Sequence, residues 1–280
     1  MNSRPTAGRI GRIAVLASGV AISLTACASL ATPTSQQAGA KPGAVSASPS
    51  PSPTPTTIAT LQAATKQAMQ GVSSVQLAMT VDVAGMHIVG TGQEAVANGK
   101  PTGIEMVETV PSAGDITVVV TGGKAYVQLP AELRPANSKP WYSVDSSSSN
   151  PLAAQLLQGV NQMGSDATTK YMQAVTGLKI VGQDTVDGTP ALHYSMVVDP
   201  SVAPLDAASR SALAKSGIKT MPMDMWLDNS YLPVKILMSV KTAVGLVKTT
   251  MSFSDYNAIV SVNAPPAADT EPLPAGFGNG

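Results

Sequence analysis

Over residues 75–83 the chain alternates with a period of two. Val75, Leu77, Met79, Val81 and Val83 fall on one side, and Gln76, Ala78, Thr80 and Asp82 on the other. Successive side chains of a β-strand point to opposite faces, so this pattern specifies a strand with one buried face; a helix would repeat its apolar positions every three or four residues. The same pattern predicts strands at 86–94, 104–110, 116–121, 124–129, 141–144, 178–186, 191–198, 221–227, 233–240 and 246–253, with a last short one at 259–262. Gly122-Gly123 and Asp187-Gly188 supply two-residue hairpin turns between neighbouring strands. There is no alternation of strand with helix and no internal repeat. The expected class is therefore α+β, a mostly antiparallel sheet with a few helices packed on one side.

Helical signals are fewer. Thr57 is placed to cap a helix running through Gln70, with Ile58, Leu61, Ala68, Met69 and Val72 as its apolar stripe and Gly71 to end it. Asn150 and Pro151 open a second helix through Leu157, where Leu152, Leu156 and Val160 share a face. A helical stretch surrounds 171–175, and 204–215 reads as a helix ended by Gly217.

The N-terminal region carries a different kind of information. Arg4, Arg9 and Arg12 precede an apolar run over 13–24, and Leu24-Thr25-Ala26-Cys27 follows as a lipobox. The run is too short for a comfortable membrane span, which needs roughly 20 residues, and has the length of a signal-peptide core. Cys27 is the only cysteine of the chain, so no disulfide partner exists for it. Thioether lipidation accounts for it, and several acyl chains together anchor stably where one would be marginal. Residues 28–57 contain no acid and no aromatic, and 48–56 alternate proline with serine or threonine. Such a tract favours extended polyproline II and buries too little to fold. The expected organisation is a signal peptide at 1–26, a disordered tether at 27–57, a domain at 58–266 and a flexible tail at 267–280.

Charge and chemistry exclude several function classes. Loss of Arg4, Arg9 and Arg12 leaves 14 basic against 17 acidic residues, no footprint for nucleic acid. His193 alternates with Leu192 and Tyr194 and is expected on the solvent side, and His87 is the only other histidine. Asp224 and Asp228 flank Trp226 on the polar side of one strand, about 13 Å apart, too far to share a proton or a sugar. No metal-ligand spacing, nucleophile elbow or phosphate loop is present, so no catalytic residue, metal or cofactor is expected. The expectation is a protein that is not an enzyme.

What the residues do show is an apolar sheet face rich in methionine, a flexible and polarisable side chain suited to ligands of varied shape. The candidate cavity lining is Val75, Leu77, Met79, Val81, Val118, Val120, Leu152, Leu156, Met196, Met221, Met223, Met225, Ile236, Met238 and Met251. The same stripes would also serve as plain core beneath helices, and only the resemblance below tips the reading toward a cavity.

Five segments, in order, resemble one family. Gly122-Gly123-Lys124-Ala125-Tyr126-Val127 is a hairpin into an aromatic strand, and Asn150-Pro151-Leu152-Ala153 opens a helix. Then come 186–194 around Asp187-Gly188, 222–228 ending in Trp226-Leu227-Asp228, and 250–256 followed by 260–265. Together they resemble the actinobacterial LppX/LprA/LprF/LprG lipoproteins, relatives in fold of the LolA and LolB carriers, over most of 57–266. The resemblance implies a strongly curved antiparallel sheet, a half-barrel, with helices packed on its concave side over an apolar cavity. It further implies lipid or glycolipid acyl chains as ligands, carriage or presentation at the outer face of the cytoplasmic membrane, and an envelope transporter or acceptor protein as partner. A solid-core lipoprotein that docks another envelope protein is the alternative. Cys27→Ala is expected to release the chain from membranes or leave its signal uncleaved; fractionation that finds the mutant processed and membrane-bound like wild type would refute lipidation.

Overall fold

A computed structural model of the chain describes residues 54–98, 100–111, 113–144, 173–202, 218–242 and 245–274. Among them are one α-helix, α1 (Ile58–Met69), and twelve strands. The first group is β1 (Ser74–Val83), β2 (Met86–Ala97), β3 (Lys100–Val110), β4 (Gly114–Thr121), β5 (Lys124–Gln128) and β6 (Trp141–Val144). The second is β7 (Val175–Val186), β8 (Thr189–Val198), β9 (Met221–Leu227), β10 (Pro233–Thr242) and β11 (Gly245–Ser254), with β12 (Thr270–Pro272) after it.

All twelve strands belong to one open, curved sheet, in the order β12-β6-β5-β4-β3-β2-β1-β11-β10-β9-β8-β7. The order describes two meanders. β1 to β6 step outward from the centre, and β7 to β11 step inward until β11 pairs antiparallel with β1. Tight turns set the register of each meander. Asp187 (φ 49°) and Gly188 (φ 84°) both lie in the left-handed region, the primed turn whose twist matches that of the strands it joins.

α1 forms where its cap is encoded. The Thr57 hydroxyl accepts from the Thr60 N–H at 3.2 Å, and the Thr60 hydroxyl accepts from the Thr57 N–H at 3.1 Å. Leu61, fully buried, joins the same apolar cluster as Val75, Leu77 and Met79 of β1. The helices expected over 151–157 and 204–215 lie outside the described residues, as do Leu152 and Leu156. Val175, expected in a helical stretch, instead begins β7.

Beyond strand ends shifted by a few residues, such as β2 running to Ala97 and β3 starting at Lys100, three differences from the sequence reading change the packing. Residues 259–262 are not a strand, because this segment crosses the sheet rather than joining it. The Gln93 amide donates to the Ser261 carbonyl at 3.2 Å, and a Cβ on Gly103 would lie 2.9 Å from the Val262 Cβ. Glycine at 103 is what lets the segment pass so close. The packed domain also runs beyond 266 into the segment read as a flexible tail. β12 pairs parallel with β6, the Leu273 N–H donates to the Ser143 carbonyl at 3.1 Å, and Leu273 is buried against Ala125, Tyr142 and Val144. A three-residue edge strand has no alternation to read, so only its neighbour reveals it. At the other end Pro55 is already buried, and its carbonyl accepts from the Tyr194 hydroxyl at 3.1 Å, so packing begins before residue 58.

The closure of β1 on β11 is secured at its base by Asn257. Its side-chain oxygen accepts from the Ser73 N–H at 2.7 Å and the Ser73 hydroxyl at 3.1 Å, while its own N–H donates to the Ser74 carbonyl at 3.0 Å. Its φ of 64° is a conformation asparagine tolerates better than most residues. Asn257→Ala is expected to cost about 1–3 kcal/mol, from lost hydrogen bonds and backbone strain together. Asn257→Gly keeps the backbone freedom and should cost less in urea unfolding; equal costs would show that φ contributes nothing.

Candidate functional site

Directly opposite residues of neighbouring strands share a face, so the register lists define continuous rows across the sheet. One row runs Tyr194–Met225–Ile236–Met251–Met79–Gly90–Glu108–Ile116, from β8 to β4. The next runs Met196–Met223–Met238–Thr249–Val81–Ile88. A third runs Phe253–Leu77–Gly92–Met106–Val118–Val127–Tyr142. Strands lie about 4.8 Å apart, so the first row from Tyr194 to Glu108 crosses six spacings, on the order of 29 Å.

Every described residue of the expected lining therefore falls on this one face. Met225 and Ile236 have no exposed surface, and Val75, Leu77, Met79, Met196, Met221, Met223, Met238 and Met251 are also buried. Val81, Val118 and Val120 are half-buried. Tyr194, Leu227, Phe253 and Met106 belong to the same cluster and were not in the expected set. The alternation already puts Tyr194, Leu227 and Phe253 on the apolar side of their strands, and following it along 104–110 finds Met106 as well.

Polar groups on this face are few. Glu94 lies opposite both Val75 and Ile104 and is buried. Thr249 is buried between Met238 and Val81. Glu108 is half-buried, and burial pushes its carboxyl above the usual range. Tyr194 is fully buried; desolvation, with the nearby Tyr231, pushes its hydroxyl up to about 12.

The opposite face holds the histidine and acids that the alternation assigned to it, but not as free surface groups. His193 stacks on Trp226 with ring centroids 4.1 Å apart, and its Nε2 lies 2.9 Å from Asp224 Oδ1. The Trp226 indole N–H donates to Asp184 at 2.9 Å, and Lys235 Nζ sits 5.0 Å from the same ring. That indole bond, followed by the Thr185 N–H, holds the Asp184 carboxyl below the usual range. Trp226 is buried beneath these partners, so its ring offers no open stacking platform. Asp228 accepts from the Ser230 and Leu232 N–H groups, which makes it a turn former. His87, exposed, contacts Asp82 at 2.6 Å. Among the described residues no three His, Cys, Asp or Glu side chains converge as a metal site would require.

These features define a class of mostly-sheet protein, in which one broad, largely antiparallel sheet buries one large apolar face and carries a smaller cluster of Val186, Ala191, Trp226 and Val234 on the other. Within that class the chain belongs to the LppX_LprAFG lipoprotein family, whose model matches residues 55–262. The crystal structure of lipoprotein LppX from Mycobacterium tuberculosis shares the fold, with a TM-score of 0.50 at 16% identity over 74% of this chain and 98% of that one. LprF from Mycobacterium bovis is less similar, with a TM-score of 0.41 at 16% identity over 73% of this chain and 94% of that one. A 31.2 kDa protein encoded between rplA and rplJ in Streptomyces griseus is 29% identical over 172 residues, 58% of this chain. The chain spans about half of that relative's length, 53%.

The buried tyrosine sets an alkaline limit. Its folded pKa lies above the unfolded value near 10, so the stability tied to the neutral hydroxyl is present below pH 10 and lost as pH rises toward 12. Tyr194→Phe is expected to lose about 1 kcal/mol at neutral pH, with the Pro55 hydrogen bond, and to lose less than wild type between pH 9 and 11.5. Denaturant unfolding across that range checks it; parallel curves would contradict the assignment.

Proposed function

We propose that this lipoprotein binds the acyl chains of a lipid or glycolipid against the apolar face, for carriage or presentation in the cell envelope, anchored to the outer face of the membrane through Cys27. The observation that carries the reading is the methionine row. Met225, Met251 and Met79 lie in one row and Met196, Met223 and Met238 in the next, spread over five adjacent strands. Unbranched, polarisable side chains massed at the centre of a sheet can re-pack around chains of different length. Each methylene withdrawn from water contributes about 0.8 kcal/mol, so an apolar face of this extent holds a long chain without any charged contact. An envelope transporter or acceptor protein would then load or receive the lipid.

A second reading rests on one observation. Met225 and Ile236 are completely buried and Met238 is 2% exposed, as in a solid core. On that reading the protein is a scaffold or docking partner for another envelope protein.

The two are separated by Met225→Trp, together with native mass spectrometry and organic extraction of the purified chain. Against an acyl site the tryptophan occupies ligand volume, and lipid binding falls while the fold survives. In a solid core it overpacks the interior and costs about 1–3 kcal/mol. The expected result is bound lipid on the wild type and lost binding on a folded mutant. A wild type that carries and takes up no lipid, with a mutant that unfolds readily, would establish the scaffold.

A further inference from the structure

Toward the end of β3 the apolar face carries a carboxyl, Glu108, that nothing else among the described residues explains. Glu108 of β3 stands opposite Gly90 of β2 and opposite Ile116 of β4, and Gly90 in turn stands opposite Met79. A Cβ placed on Gly90 would lie 3.4 Å from Met106 Sδ, 3.5 Å from Glu108 Cγ and 3.6 Å from Met79 Cε. The glutamate stem and two methionine tips thus converge over a bare stretch of backbone. Gly90 has no positive φ, and an added Cβ would make only ordinary contacts, so the fold itself does not require glycine there. Its effect is to leave a gap the size of one Cβ between the glutamate stem and the two methionines.

The groups facing Glu108 are apolar on every neighbouring strand: Ile88 and Gly92 beside Gly90 on β2, Val118 beside Ile116 on β4, Met79 on β1, and Met106 on its own strand. Glu105 and Asp115 project from the other face, where they bond Gln93 and Thr109. The other acid on this face near Glu108 is Glu94, four residues along β2 from Gly90, about 13 Å away. No lysine, arginine or histidine of β1 to β4 faces it. Burial among methionines and aliphatics disfavours the ionised carboxyl and raises its pKa, so the neutral form persists to higher pH than it would in water. A neutral carboxyl differs from a carboxylate in one respect that matters here: it donates a hydrogen bond.

Resting on the acyl-binding reading, we propose that Glu108 is the polar contact of that site. Its carboxyl O–H, held beside the gap over Gly90 between Met79 and Met106, donates to the ester carbonyl of an acyl lipid. The site then selects ester-linked chains over ether-linked chains of the same length. Burial raises the Glu108 pKa, so the donor is present at low pH and is lost as pH rises through the folded value. The carboxylate that remains accepts only, and it repels the ester oxygen.

The test uses the full chain and a matched pair of ligands, a long-chain diacylglycerol and its dialkyl ether analogue, each competing with a fluorescent fatty-acyl probe from pH 4.5 to 8. Wild type should prefer the ester by roughly five- to tenfold at the acid end, the size expected of one buried hydrogen bond, and the preference should shrink as pH rises. Glu108→Gln, whose amide donates without titrating, should keep the preference at every pH. Glu108→Leu should bind both ligands equally, and denaturant unfolding of each variant confirms that it is folded. Equal affinity of wild type for ester and ether at all pH values, or an ester preference surviving in Glu108→Leu, overturns the assignment of Glu108 and leaves the acyl-binding reading standing. A wild-type chain that binds neither lipid nor the probe overturns both.

Discussion

The pairing of β1 with β11 is the interaction on which the rest of the sheet depends. Eight register pairs, from Gln76 with Ser254 to Val83 with Val247, join segments that are more than 160 residues apart. Within each meander most neighbouring strands are hairpins whose turns close cheaply, while β5–β6 and β8–β9 are joined by longer connections. This junction closes the longest loop in the sheet, and it does so by pairing Met79 with Met251 and Leu77 with Phe253 on the buried side. Asn257 and the contact of the Ser74 hydroxyl with the Ala258 carbonyl at 2.5 Å hold the base of the joint, where the chain leaves β11 and turns across the opposite face. Without the junction there would be two half-sheets, each with its apolar side divided.

Because the two meanders join through their innermost strands, the apolar rows pass through the junction unbroken. Met225 and Ile236 come from the second meander and Met79 and Gly90 from the first, yet they are neighbours in a single row. The sheet remains open, so two edges must be managed. At one end β12 adds a short parallel strand with Leu273 tucked beneath it. At the other, β7 departs from regular pairing near Val175 and again between Ile180 and Gly182, and such irregularities turn an edge away from further strand addition.

The opposite face shows how far a face assignment reaches. Alternation put His193, Asp224 and Asp228 outside the apolar face, and that is where they lie. It could not show that His193 stacks on Trp226, or that the indole N–H finds Asp184, because those partners sit on three different strands whose register is set only by pairing. A side chain facing away from the core is thus not the same as a side chain free in solvent. Glu108 makes the converse point. It follows Ile104 and Met106 in strict alternation, so its position on the apolar side was readable in the sequence, but an acid at a strand's end is ordinarily read as solvated. Only the neighbours supplied by β1, β2 and β4 reveal what surrounds it.

Local chemistry determined most of the elements. The period-two stripes marked the strands, with Met221–Leu227 and Trp141–Val144 matching residue for residue, and the Thr57 cap and the Asp187-Gly188 turn sat where their side chains and backbone freedom required them. These features are legible because each depends on contacts within a few residues. The export signal and lipobox expected at 1–27 are likewise a linear pattern, legible without any tertiary contact. Tertiary structure decided the strand order, the passage of 255–265 across the sheet instead of along it, the recruitment of Thr270–Pro272 to the β6 edge, and the burial of Pro55 under Tyr194. All four are contacts between distant segments, and a pattern of alternation states which way a side chain faces without stating what it will meet.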